Sequence, residues 1–204
     1  MNTTIIDKIL IHMLDMEHSQ IIYSDQFIDL IEGTTEYYDK KIEKCLKTNY
    51  YYKGREWPYK NVKPRIIAEE YMVDESGTEL KDYKIFNFNG TPKLIEVDFG
   101  RFTQHKRNIY DINWNYIDLC IEYPNDKSVN ICKPQNLDIM LECAKKLSIG
   151  FPFLRTDFYN INGKLYFGEI TLYHGSGLEK ITPIKYEKIL GDWIELSNME
   201  ERDE

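Results

Sequence analysis

The most informative segment of the chain is FLRTDFYNINGKLYFGEITLYHGSG, residues 153–177. It sets Asp157 and Glu169 on two predicted strands joined by Asn162-Gly163, a dipeptide that favours a two-residue hairpin turn. Alternation along a strand places Arg155, Asp157 and Tyr159 on one side with Phe158 on the other. On the second strand it groups Phe167, Glu169 and Thr171. Two carboxylates converging in this way, with a hydroxyl two residues on, suit a hard cation such as Mg²⁺ that also bridges to phosphates. Arg155 beside them is suited to a transferred phosphate or a developing oxyanion. Carboxylates on facing strands are also common as plain solvated or ion-paired residues. That reading stays open, although like charges opposite one another are disfavoured without a cation. The turn His174-Gly175-Ser176-Gly177 follows; its backbone N–H groups suit an anion, and an ordinary turn is the simpler reading.

Three other segments carry weaker signals. In RIIAEEYMVD, residues 65–74, a buried strand runs into acidic residues, and a strand end can pair with an adenine edge. In DYKIFNFNGTPKLIEVDFGRF, residues 82–102, Lys84 and Arg101 are cations that could meet phosphate oxygens, or simply lie on the surface. His105, Lys106 and Arg107 add charge nearby and read equally well as solvated. The aromatic run Tyr50–Tyr52 with Trp57 and Tyr59 suits a sugar ring or a base, or packing beneath a loop.

The elements that must position these residues can be read from periodicity and turn signals. Apolar spacing predicts helices over residues 3–16, 25–31, 34–47, 137–147 (with Asn136 as its cap) and 183–196. Residues 50–64 form a loop. Strands are predicted over 65–73, 82–88, 92–99, 153–161 and 164–172, with Asn89-Gly90 turning one hairpin and Asn162-Gly163 the other. Residues 101–134 show no clear period and read as a long, partly ordered excursion. The fold class is therefore α+β with mostly antiparallel pairing.

Composition bounds the partners. The chain has 204 residues and a net charge of −8, which argues against a nucleic-acid partner but not against a small phosphate ligand. None of its four cysteines forms a C-x-x-C pair, so zinc is not expected and reduced cytosolic thiols are. No stretch is apolar and long enough for a membrane span.

Taken together, the segments resemble the TupA-like ATP-grasp family of polysaccharide and teichuronopeptide biosynthesis. The matching stretches are YYYKGREWPYKNVKPRIIAEEY, LKDYKIFNFNGTPKLIEVDFGRF, NLDIMLECAKKLSIGFPFLRTDFYNINGKLYFGEITLYHGSGLEKITP and LGDWIEL. They lie in order within residues 36 to 197. The resemblance divides the chain into a divergent segment 1–35, an ATP-grasp-like nucleotide- and metal-binding domain 36–197 and an acidic tail 198–204. It implies antiparallel sheets with flanking helices, and ATP and Mg²⁺ as cofactors.

The same resemblance carries roles to individual residues. Glu69, Glu70, Tyr71 and Met72 look like the adenine hinge. Lys84 and Arg101 match phosphate-contacting cations, and Arg155 matches the arginine at the reacting centre. Asp157 and Glu169 match the metal carboxylates. Thr171 stands where many ATP-grasp enzymes carry asparagine, which puts the third metal ligand in doubt. The implied chemistry joins a carboxylate, such as a uronic acid of a polysaccharide precursor, to an amine in the cytoplasm. Sugar transfer is the enzymatic alternative, though no D-x-D motif supports it; a binding or assembly module without turnover is the other. Residues 1–35 lack the lysine and the small glycine-rich loop that full members carry. The front lobe is thus expected to be incomplete, through a gene fragment, a partner chain supplying it, or a degraded copy. Asp157→Asn and Glu169→Gln are both expected to abolish activity and spare the fold.

Overall fold

The computed structural model describes residues 9–12, 21–22, 40, 43–65, 67–70, 72–75, 77, 80–100 and 104–196, and only the backbone of 9–12, 21–22 and 67–70. The chain forms two compact units, residues 1–72 and 73–204, each described by itself.

In the first unit, β1 (Ile9–His12) pairs antiparallel with both β2 (Ile21–Ile22) and β3 (Ile67–Glu70), in the order β2-β1-β3. The helical spacing read over residues 3–16 therefore fails at Ile9–His12. A four-residue apolar run is ambiguous in period, and here two partner strands supply its hydrogen bonds. The helix predicted over 25–31 lies outside the described residues; of that over 34–47, residues 40 and 43–47 are helical. The stretch 50–64 is a loop holding one helical turn, Tyr51–Gly54, and a 3₁₀ turn, Trp57–Tyr59.

The second unit is built on a six-stranded antiparallel sheet in the order β10-β9-β4-β5-β6-β7. Its strands are β4 (Asp82–Phe88), β5 (Thr91–Phe99), β6 (Lys106–Asp111), β7 (Tyr116–Ile117), β9 (Phe153–Ile161) and β10 (Lys164–Thr171). Two Asn-Gly turns close its hairpins. Asn89 and Gly90 have φ 49° and 75°, Asn162 and Gly163 50° and 76°, the left-handed pair that matches strand twist. A small ribbon pairs β8 (Cys120–Ile121) with β11 (Ile181–Thr182). Residues 101–134 thus hold three strands rather than an irregular excursion. Their pattern is hard to see because β7 and β8 are two residues long and β6 buries Arg107 and Asn108 among its apolar residues.

Alternation divides the sheet into two faces. Tyr83, Ile85, Ile95, Val97, Tyr110 and Phe158 lie on one face and are packed by Leu137, Met140 and Ala144 of α1 (Leu137–Leu147). Asn136 does not cap that helix; its amide donates to the Gly163 carbonyl instead, tying the helix start to the β9–β10 turn. Each fully buried Ile or Val of this layer contributes roughly 1.5–3 kcal/mol. The other face is apolar only in part. Phe86, Phe88, Leu94 and Ile109 pack with Leu119, Ile121 and Leu190 of α2 (Lys185–Asp192), which is shorter than the predicted 183–196. The rest of this second face carries charge. The four cysteines are unpaired, and among the described residues no helix is long and apolar enough to cross a membrane.

Candidate functional site

Strand register builds the charged region. Lys84 on β4 lies directly opposite Asp157 on β9 and Glu96 on β5. Asp82, two residues back on the same face, lies opposite Asp98, which in turn lies opposite Arg107 on β6. Side chains directly opposite share a face at close range, so four strands contribute one contiguous buried layer of acids and bases.

Lys84 Nζ donates to Asp82 at 2.6 Å and to Asp157 at 2.8 Å. Arg155 grips Asp157 with both ends of its fork: Nε donates to Oδ1 and Nη2 to Oδ2, each at 2.8 Å. Nη2 also donates to Glu169 Oε1 at 2.7 Å, and Nη1 lies 2.8 Å from His174 Nδ1. Burial alone would raise the Asp157 carboxyl; Arg155 and Lys84 outweigh it and hold it at about 2. Burial, with Asp157 adding to it, raises Glu169. Asp157 is 1% exposed and the Glu169 side chain 39%.

Asp157 and Glu169 therefore do converge, but the strand alternation differs from that expected. The β9–β10 register shifts between Phe167 and Ile170: Phe167 pairs with Phe158 and Ile170 with Thr156, so Gly168 and Glu169 together face Asp157. This bulge puts Phe167 on the far face, where its ring meets Phe158, while Glu169 and Thr171 stay with Arg155. One extra residue inverts the phase of every side chain beyond it. A Cβ at 168 would stand 3.1 Å from the Asp157 carbonyl oxygen and 3.2 Å from the Tyr159 ring, so any other residue there pushes its neighbours by a few tenths of an ångström.

Motif reading missed the second half of the layer. Arg107 is buried, with Nε 2.8 Å from Asp98 and 3.1 Å from Glu96, and Nη1 3.2 Å from Glu179. It is not solvated, as its neighbours Lys106 and His105 suggested it might equally be; His105 itself lies 3.1 Å from Asp98. Glu96 is wholly buried, and neither of its oxygens has an aligned hydrogen-bond donor among the described residues. Burial raises its carboxyl against the pull of Arg107. Glu179 lies 2.6 Å from His174 Nε2; burial raises its carboxyl, and the contact with His174 and the charge of Arg107 outweigh that and lower it. The available signal was strict alternation of charge with apolar residues in Asp82-Tyr83-Lys84-Ile85 and Ile95-Glu96-Val97-Asp98.

A carboxyl raised on folding contributes stability below its unfolded value and loses it as pH rises through its folded value. Glu96→Gln is therefore expected to be more stable than wild type at neutral pH, with the advantage shrinking toward acid. Thermal melts across pH check this, and a variant that melts lower at neutral pH would contradict it.

The implied cation meets a donor set of two carboxylates and the Thr171 hydroxyl, which lies 3.5 Å from Glu169 Oε1. Oxygen-only donors suit Mg²⁺. The facing carboxylate oxygens are bridged by Arg155 Nη2, so a cation between them requires the guanidinium to yield that bridge. The ion-paired alternative left open by spacing describes the carboxylates as they stand. Among the described residues no group of three or more His, Cys, Asp or Glu side chains is arranged around a metal position.

The remaining candidates belong to the first unit or fall outside the described residues. Glu69 and Glu70 end β3, an edge strand whose only described partner is β1; Met72 follows, half-buried, while Tyr71 and Arg101 lie outside the described residues. The aromatic run packs largely on itself: Tyr51 meets Trp57 edge-on at 5.9 Å, and Lys60 Nζ sits 4.2 Å over the Trp57 ring. Tyr52 and Trp57 remain exposed.

Compared with families of known proteins, the chain matches the one described as TupA-like ATPgrasp over residues 2–195. No curated protein and no solved structure matches it.

Proposed function

The chain belongs to the TupA-like ATP-grasp family, and on that premise we propose that it is a Mg²⁺- and ATP-dependent carboxylate–amine ligase acting on precursors of a cell-surface polysaccharide. The observation that carries this reading is the junction of Arg155 with both Asp157 and Glu169 on one sheet face, with Lys84 alongside. When bound, Mg²⁺-ATP would supply the γ-phosphoryl group that turns the substrate carboxylate into an acyl-phosphate with release of ADP, and an amine would then displace phosphate to give the amide.

The chain's own residues hold and neutralise. Asp157, Glu169 and the Thr171 hydroxyl are the oxygen donors for the cation. Lys84 and Arg155 are positive charges held by the buried Asp157, and of these contacts the Arg155 Nη2 bridge to Glu169 is the one that must give way to the cation. Arg155 stays charged, because the surrounding carboxylates overcome its burial. By family resemblance Arg101 joins them on the phosphates, and the backbone of Glu69, Glu70, Tyr71 and Met72 takes the adenine edge. A strand whose partner among the described residues lies on one side only suits that contact.

Calorimetry with Mg²⁺-ATP tests the reading, followed by ADP release with uronic acids and amines. Glu169→Gln is expected to change stability by about 1 kcal/mol or less, since its carboxylate is partly exposed. It is expected to weaken Mg²⁺-ATP binding at least about tenfold. Unaltered affinity in this variant would remove Glu169 from the cation site. Binding without ADP release would favour the non-catalytic module.

A further inference from the structure

We infer that His174 is a positioning residue for Arg155: a neutral His174 accepts a hydrogen bond from the guanidinium at Nδ1, with the Glu179 carboxylate beside Nε2. The inference rests on the role given to Arg155 above, but its evidence is separate.

A guanidinium has five N–H donors and no acceptor. Arg155 Nη1 lies 2.8 Å from His174 Nδ1, so Nδ1 presents its lone pair there and the ring proton belongs on Nε2. That nitrogen is 2.6 Å from Glu179 Oε2 and 3.9 Å from Glu96 Oε2, neither of them aligned as a hydrogen-bond acceptor. The charged groups facing the ring are therefore Arg155 from β9, Glu96 from β5, Glu179 from the segment after the turn and, behind Glu179, Arg107 from β6. Phe86 of β4 closes the remaining side, ring to ring at 4.7 Å. An imidazolium would turn a second N–H toward the guanidinium, so contact with Arg155 selects the neutral ring.

The glycine turn is what allows one short segment to supply both partners. Gly175 has φ 52°, in the left-handed region, and a Cβ on it would overlap the Glu179 side chain. The HGSG sequence thus has a local purpose other than cradling an anion. Its consequence reaches the reacting centre. Nε and both Nη2 hydrogens of Arg155 are spent on Asp157 and Glu169, and His174 takes one hydrogen of Nη1. The second Nη1 hydrogen, with no partner among the described residues, is then aimed in one fixed direction.

Long-range proton–nitrogen correlation on the ¹⁵N-labelled full chain at neutral pH tests this directly. The expected pattern for His174 is the neutral Nε2–H tautomer. An Nδ1–H tautomer or an imidazolium would overturn the inference. Two variants sharpen the test. In His174→Asn the amide oxygen takes the place of Nδ1; in His174→Gln the amide reaches only the place of Nε2. Solvent exchange of the Arg155 Nε–H is expected to quicken at least about tenfold in His174→Gln and to stay within about twofold of wild type in His174→Asn. Equal exchange in the two variants would also overturn it. In ADP release, His174→Gln is expected to lose about tenfold in kcat with little change in KM for ATP. A wild-type chain that releases no ADP counts against the ligase reading alone, because tautomer and exchange still decide this one.

Discussion

Replacing Asp157 with asparagine is expected to destabilise the second unit by about 3 kcal/mol, the cost of breaking a buried ion pair from one side. The carboxylate accepts from Arg155 at both oxygens and from Lys84, and all three side chains are buried. Asparagine keeps the shape and removes the charge, leaving two buried cations with less compensation. The sequence-based expectation that Asp157→Asn and Glu169→Gln would both spare the fold therefore divides: it stands for the partly exposed Glu169 and not for Asp157. Urea denaturation of wild type and variant measures the difference, and an unchanged midpoint would show that the pairing contributes nothing net.

The same substitution should alter acid stability. The Asp157 carboxyl is depressed from 3.8 to about 2 in the folded chain. A depressed carboxyl contributes its stability above the unfolded value and loses it as pH falls through the folded one. Wild type should thus lose stability between about pH 4 and about 2, and Asp157→Asn should lose less over that window. Parallel acid-unfolding curves would contradict the assignment.

Arg155→Lys is expected to lower ADP release by about 10²–10³-fold, the range for removal of a preorganised charge donor. The change keeps the positive charge but removes the fork. Arg155 serves Asp157 at two oxygens, Glu169 at one and His174 at its ring nitrogen from a single rigid plane. A lysine ammonium has three donors on a flexible stem and cannot reproduce those directions. Single-turnover measurement at saturating Mg²⁺-ATP separates chemistry from binding. Full activity in Arg155→Lys would mean that charge alone matters at this position.

The chain's local signals read well where a single element decides its own form. The Asn-Gly pairs at 89–90 and 162–163 demand two left-handed residues, which other types resist, and both hairpins follow. The strands Asp82–Phe88 and Phe153–Ile161 and the helix Leu137–Leu147 have the predicted bounds, because their apolar residues recur with one clear period. The family was equally legible, since the order and spacing of several stretches along the chain is a linear feature.

Tertiary structure decided what depends on register between distant strands. Lys84 meets Asp157 across 73 positions of sequence, and Arg107 meets Glu179 across 72. No local period encodes such a pairing, and a single bulge at Gly168 reverses which residues share a face. Ile9–His12 shows the same limit: the run is apolar enough for helix or strand, and its partners Ile67–Glu70 settle the matter. Sequence thus determined the turns, the periods and the acids and bases available. Only the assembled sheet decided that the buried Asp82, Glu96, Asp98 and Asp157 and the half-buried Glu169 and Glu179 would gather around Lys84, Arg107 and Arg155, because the cost of burying charge is met by partners that the chain brings together on folding.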